Sequence, residues 1–355
     1  MTYEYVGNLH AHSKFSDGFG DHDEIALAAI RAGLDFVVIP DHNVLVEGLD
    51  GYRYLGDRRV LLLTGEEIHD QNRDPQKNHL LVYEVPEELA PMGARPQRLL
   101  DAVSRARGLA FLAHPDDPAA PKFRQADLSW VSWEVEGFTG LELWNFMTEF
   151  KSRLTSIPSA VWHAYFPARI ASSPMSETLA RWDSLLQKGR QVVAIGGADA
   201  HGTPMRLGPF RRIVFPYEFL FRAVNTHVLT AEPLSGEVDL DRHRLFHSIR
   251  RGNCFIGYDL PHRTNGFRFT AQGDRGPVQM GDIVQGRFGV TLQVRLPIRT
   301  HLRLIHNGRV IRSWDHVEAA VHAVAEPGAY RAEATIEYLG RRRSWIFGNP
   351  IYVTH

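Results

Sequence analysis

Short runs of consecutive apolar residues recur along the first part of the chain, each separated from the next by a segment of helical period. Residues 3–9 form the first such run. Asp21 or Asp23 is placed to cap a helix that runs to Gly33, with Ile25, Leu27, Ala28, Ile30 and Ala32 as its apolar positions. Asp35 to Pro40, Val60 to Gly65, Asn78 to Val85, Leu109 to Ala113, Gly140 to Asn145 and Gln191 to Ile195 are further runs. Continuous rather than alternating apolarity is the pattern of a strand buried on both faces. Between them, Arg95 to Gly108 and Phe146 to Lys188 read as helical, and helices are also expected over Tyr217–Asn225 and Asp241–Gly252. One more strand is expected from Gly208 to Val214. Strand and helix alternating in this order predict an α/β fold with a mainly parallel sheet, closed or nearly closed into a barrel.

The pattern changes near Asp259–Gly266. From Phe267 onward, apolar and polar residues alternate, as in Val290–Leu296, Tyr330–Tyr338 and Ile351–Val353, and Asn307-Gly308 is a hairpin turn signal. The expected organisation is a barrel over residues 1–262 and an antiparallel, sandwich-like all-β domain over 263–355.

Composition narrows the class. The chain has 355 residues, 44% hydrophobic and 23% charged, with a formal net charge of -1. That balance supplies no bulk field for nucleic acid or an anionic membrane, so neither is expected as a partner. Cys254 is the single cysteine, which fits a reducing compartment. No signal peptide pattern opens the chain and no apolar run is long enough to span a bilayer, so a cytoplasmic protein is expected.

Histidine stands out, with 18 in the chain. His10 and His12, spaced to share one face of a strand, lie at the end of the first run. Asp41 and His42, Glu67, His114, and Asp199 and His201 likewise end runs, and His79 stands near the start of one. In α/β barrels the strand-end rim is where chemistry is built. Imidazole and carboxylate ligands suit zinc, manganese or iron, and six histidines with three carboxylates exceed what one ion needs. A multi-metal centre suits phosphoester cleavage: a bridging hydroxide is nucleophilic at neutral pH, and the cations neutralise the attacked and leaving oxygens.

His10-Ala-His12 with Ser16-Asp17-Gly18, then Asp41-His42-Asn43, Gly65-Glu66-Glu67, His79, Ala113-His114-Pro115 and Ala198-Asp199-Ala200-His201 run in the order seen in the PHP (polymerase and histidinol phosphatase) superfamily. The chain resembles that superfamily over about its first 260 residues, with Pro40 in place of the usual threonine before Asp-His. The β tail looks like the two-domain, carbaryl-hydrolase-like branch. The resemblance implies a distorted (β/α)7 barrel with two or three divalent ions (Zn, Mn or Fe). It implies that His10, His12, Glu67 and Asp199 hold one metal and Asp17, His42 and His201 a second. His79 and His114, with Glu67 bridging, would hold a third.

Glu67 rather than Glu66 is the expected ligand, because strand neighbours face opposite sides. Asp41 is expected to support a liganding ring. His69, two beyond Glu67, is a candidate contact or acid for the substrate. Arg206 is a candidate partner for a phosphate, and Asn145 has similar standing. The tryptophan-rich stretch from Trp130 to Trp182 is expected to be core or lid. The expected function is a metal-dependent phosphoesterase acting on a small-molecule phosphate ester. Hydrolysis of a carboxyl or carbamate ester on the same centre, and a non-catalytic binding protein, are the alternatives. Oligomeric state is left open.

Overall fold

The computed structural model describes residues 2–207, 210–287 and 289–354. Its first part alternates strand and helix, in the order β1 (Tyr3–Asn8), α1 (His22–Ala32), β2 (Phe36–His42), β3 (Gly51–Leu55), β4 (Arg58–Ile68), β5 (Leu80–Tyr83), α2 (Pro96–Arg105), β6 (Leu109–Leu112) and β7 (Gly140–Asn145). Three helices follow, α3 (Phe146–Ser152), α4 (Ile157–Tyr165) and α5 (Ser176–Gln187), then β8 (Val193–Gly197). After β8 come a hairpin of β9 (Thr203–Leu207) and β10 (Phe210–Val214), α6 (Tyr217–Leu220), β11 (Val224–Thr230), α7 (Val238–Arg250) and β12 (Cys254–Tyr258). Helix α1 starts where expected: Asp21 accepts from the Glu24 amide, and Glu24 returns a bond to the Asp21 amide.

The fold is mixed α/β around a large sheet, and it departs from the expected barrel in three ways. First, β1, β2 and β4 pair in parallel, as do β6, β7 and β8, but β5 is antiparallel to both its neighbours. Second, the sheet does not close by regular pairing. Beyond β8 the chain meets the extension of β1 through a single bridge, Ala11 to Ala200. Third, the helix expected over Tyr217–Asn225 shrinks to the one turn of α6, and β11 and β12, unforeseen as strands, add an antiparallel edge beside β1. The strand expected from Gly208 becomes the second arm of the β9–β10 hairpin, with residues 208–209 outside the described residues.

The C-terminal part is β-only: β13 (Arg268–Gly273), β14 (Gly276–Gln279), β15 (Ile283–Gln285), β16 (Val290–His306), β17 (Arg309–Val324), β18 (Gly328–Tyr338), β19 (Arg341–Gly348) and β20 (Ile351–Thr354). Its pairings are antiparallel except β15 with β20. The expected boundary at 262/263 falls in the loop between β12 and β13. Yet β19 pairs with β12, so the ladder runs from one part into the other. Asn349 reinforces that junction. Fully enclosed, it accepts from the Ala194 amide and donates to the carbonyls of Ala194 and Cys254.

Strand parity organises the interior. Phe36 and Val38 of β2, Leu61 and Leu63 of β4, Leu81 and Tyr83 of β5 and Phe111 of β6 form one buried cluster, which Leu245, Phe246 and Ile249 of α7 complete. The intervening residues Val37, Ile39 and Leu62 pack outward with Ile25 and Ala29 of α1. A side chain two residues beyond an inward position is therefore also directed inward.

A second polar knot ties β1, β11, β12 and β13. The buried His227 ring has Nδ1 2.9 Å from Glu4 Oε1 and Nε2 3.1 Å from Asp259 Oδ2, and Arg268 completes the knot at 2.5 Å from Glu4. Burial alone would push the His227 pKa down, but the Asp259 and Glu4 carboxylates outweigh it and hold it up at about 9. Because this value lies above the ordinary 6.5, the ion pairs stabilise the fold fully below pH 6.5, and that contribution is lost as pH rises through 9. Denaturant titrations should show wild-type stability falling between pH 6.5 and 9.5 by up to about 3 kcal/mol more than that of His227→Gln. Parallel pH profiles for the two proteins would refute the ion-pair assignment.

Candidate metal centre

Parity delivers the central candidate ligands. Continuing the inward positions of β2 leads through Pro40 to His42, and those of β4 through Gly65 to Glu67. Glu66 points the other way, accepts from the Leu89 amide, and is pushed up to about 7 by burial. His79 precedes β5 by one residue. Because β5 is antiparallel, its start lies on the same rim as the ends of the parallel strands, and His79 joins them. His114 and Asp199 reach the rim with φ of 27° and 56°, in the left-handed region that non-glycine residues avoid.

These residues converge on Glu67, which is wholly buried. Its Oε2 lies 2.9 Å from His10 Nε2, 3.1 Å from His12 Nε2 and 3.4 Å from His42 Nδ1. Its Oε1 lies 2.8 Å from His79 Nδ1 and 2.9 Å from His114 Nε2. Asp199 Oδ1 stands 3.2 Å from His12 Nε2 and 3.5 Å from His10 Nε2. Asp17 Oδ1 is 3.2 Å from His201 Nε2, and Asp17 Oδ2 is 3.7 Å from His42 Nε2.

Among the described residues, three groups could each hold one ion: His10, His12, Glu67 and Asp199; His12, Asp17, His42 and His201; and His42, Glu67 and His79. The first reproduces the set implied by the family resemblance. The second adds His12 to the expected three. The third has His42 where His114 was expected, although His114 meets the same Glu67 oxygen as His79.

The donor chemistry fits divalent cations. His10 Nδ1 lies 3.0 Å from Glu142, so when that nitrogen donates, Nε2 turns its lone pair toward His12 Nε2, 3.1 Å away, and Glu67. His201 Nδ1 likewise donates to the Asp199 carbonyl at 2.8 Å, freeing Nε2. His12 Nδ1 and His42 Nδ1 are buried without a hydrogen-bond partner. Lone pairs gathered on one point are costly unless a cation or protons satisfy them.

The electrostatics agree. Burial raises the pKa of Glu67 and of Asp199, yet the surrounding rings, His10 foremost for both, hold them well below the carboxylate range. Burial pushes His42 well below the usual imidazole value and His79 to about 4, so both offer neutral nitrogens.

Several supporting groups were not foreseen. Glu142 of β7 is buried, accepts from the His114 amide and from Asn145 Nδ2, and orients His10. The available signal was an acid inside an apolar strand run. Asn145, a candidate phosphate contact from the sequence, reaches Asp199 Oδ2 at 3.4 Å and caps α3. Gly197 makes room for this layer, since a Cβ there would lie 2.6 Å from Glu142 Oε1. Tyr217 donates to the carbonyls of His12 and His201, pinning the two ligand loops together.

Asp41 does not support a liganding ring as expected. Its carboxylate accepts from the Ser13 amide and from the Ser13 and Ser16 hydroxyls, and so shapes the turn that carries Asp17. His69 lies at the edge of the cluster, stacked on His79 at 4.6 Å with Nε2 2.8 Å from Asn43 Nδ2. Arg206 is exposed on β9, paired in register with Arg211, in the hairpin that follows His201. Trp130, Trp144 and Trp182 are core, as expected, but Trp162 is exposed.

No family model matches the chain, and no curated protein matches it. Among solved structures, it is similar to a two-domain protein from Bacteroides vulgatus that contains a predicted PHP-like metal-dependent phosphoesterase. That match has 14% identity, covers 98% of this chain and 95% of the other, and has a TM-score of 0.45. It is also similar to a provisionally named metal-dependent phosphoesterase from Bifidobacterium adolescentis, at 18% identity, 57% and 90% coverage and a TM-score of 0.32. The overlap is loose in both, and the side chains themselves carry the functional reading.

Two substitutions separate ligand from support. Glu67→Gln should lower the bound-metal stoichiometry by at least one equivalent and turnover by more than about 100-fold. Glu142→Gln should keep the stoichiometry at saturating metal but weaken affinity by roughly 10–100-fold in metal titrations. Unchanged loading in Glu67→Gln would remove that residue from the centre.

Proposed function

We propose that this chain is a PHP-type hydrolase that cleaves a phosphate ester at a centre of two or three divalent ions. The observation that carries this reading is the two-sided use of Glu67: each of its oxygens faces a different set of imidazoles, as a carboxylate shared between neighbouring ions would. His10, His12 and Asp199 would complete one site, Asp17, His42 and His201 a second, and His79 with His114 or His42 a third. Ions there would lower the pKa of bound water and offset the charge of a phosphate.

The chain's own residues do the rest. Glu142 and the Asp199 carbonyl fix which nitrogens of His10 and His201 face inward. Asp41, through Ser13 and Ser16, sets the turn that brings Asp17 to the rim. Tyr217 ties that turn to the His201 loop. We assign His69 as the group that gives a proton to the leaving oxygen, because it stands against two ligand rings with Nδ1 buried and unpartnered. We assign Arg206 to contact the phosphate, from its place on the hairpin directly after His201. The α/β part over 1–262 would carry the reaction, and the β part over 263–355, joined through β12–β19 and Asn349, would brace it.

Elemental analysis should find two or three equivalents of zinc, manganese or iron per chain. The loaded protein should hydrolyse p-nitrophenyl phosphate or its bis-ester, and His69→Ala should lose about 10²–10⁴-fold in kcat with metal content unchanged. Bound metal with turnover of p-nitrophenyl acetate only would move the assignment to a carboxyl or carbamate ester. No metal uptake after reconstitution would overturn it.

A further inference from the structure

Helix α4 is built inside out. Ile157, Val161, Trp162 and Tyr165, with Phe166 just past its end, are 62%, 37%, 49%, 47% and 47% exposed. At about 100° per residue these five fall within one half of the helix's circumference. The opposite half carries Ser159, Ala160, His163 and Ala164, which are the partly covered positions. No residue of α4 is buried. Globular packing puts large apolar side chains inward and small polar ones outward, and α4 reverses that rule.

The surroundings of this face are cationic. From Phe150 to Ser176 the sequence contains no aspartate or glutamate, and from Gly202 to Tyr217 it contains none either. Arg169 and Arg212 lie over the exposed rings, their guanidinium carbons 6.0 Å from the centre of Trp162 and 4.9 Å from that of Tyr165. Arg212 belongs to the β9–β10 hairpin, whose Met205 and Ile213 are also exposed, at 53% and 47%. The hairpin therefore continues the apolar and basic surface from α4 toward the His201 rim of the metal centre.

We propose that the outer face of α4, together with the β9–β10 hairpin, is a docking surface for an anionic lipid interface. Tryptophan and tyrosine prefer the boundary between headgroups and chains, and arginines beside them meet lipid phosphates. Three half-exposed aromatic side chains of roughly 150–250 Å² each give an apolar patch of a few hundred Å², a size that is often functional on a monomer. A second copy docking this face about a two-fold axis would set like arginines against each other. The near-neutral charge of the whole chain, which excluded a membrane partner from composition alone, conceals this local asymmetry. The proposal stands apart from the metal-centre reading, and its test needs no turnover.

The test is co-sedimentation of the full-length protein with vesicles of phosphatidylcholine alone and of phosphatidylcholine with phosphatidylglycerol. Binding is expected to the anionic vesicles and to weaken as salt is raised. A Trp162→Ala/Phe166→Ala double variant and an Arg212→Glu variant should each bind at least about tenfold more weakly, with thermal melts like the wild type because these side chains are exposed. Absence of binding to either vesicle, or equal binding by the variants, would overturn the proposal. So would a dimer in sedimentation equilibrium that the double variant disperses, which would make a second copy the occupant.

Discussion

An ionised carboxylate is held at zero exposure among five imidazoles, and the rest of the molecule is arranged to make that possible. Isolated, the Glu67 charge would cost roughly several kcal/mol to bury. Positive charge must come from somewhere to offset it. In the protein alone the rings supply it, and their shifted pKa values record the strain: burial opposes charge on His10, His12, His42, His79 and His114, yet His12 is held up at about 10 by Asp199 and Glu67. Divalent ions would relieve this conflict, because they deliver charge to the carboxylates without forcing protons onto buried rings.

The scaffold reaches this arrangement through strand parity and one reversed strand. The same alternation that sends Phe36 and Val38 into the core sends His42 to the centre, and the same step along β4 selects Glu67 over Glu66. Tyr83 closes the floor of the centre by donating to the Leu9 carbonyl at 2.7 Å. Above that floor, helices and loops take over. Asp17 rides on a turn held by Asp41, and Asp199 adopts a left-handed backbone that the Tyr217 clasp and the Ala11–Ala200 bridge sustain. Strain there is tolerated because the flanking contacts are numerous and buried.

Much of this was legible in the sequence, for a physical reason. Candidate ligands at strand ends leave a local signature, a polar residue type closing an apolar run, and His10, His12, His42, Glu67, His114, Asp199 and His201 all carry it. The structure places every one of them in the cluster, with Asp17 and His79. What was not legible depends on contacts distant in the chain. The antiparallel direction of β5, the short α6 and the strands β11 and β12 are set by tertiary pairing rather than by local pattern. Glu142 looked like one acid in an apolar strand, and only its 3.0 Å approach to His10 Nδ1 gives it a role. Asp41 was expected to support a liganding ring. Parity turns it away from His42, onto the Ser13 and Ser16 hydroxyls. The exposed face of α4 was hidden within a stretch whose Trp130, Trp144 and Trp182 are core.

The central claim, that Glu67 is shared between ions, is tested most directly by anomalous diffraction from crystals grown with manganese or zinc. The account predicts two or three anomalous peaks roughly 3.5–4 Å from their neighbours, with Glu67 oxygens between them and Asp199 and Asp17 at opposite ends. A single peak that leaves Glu67 unligated, or none at all, would contradict it.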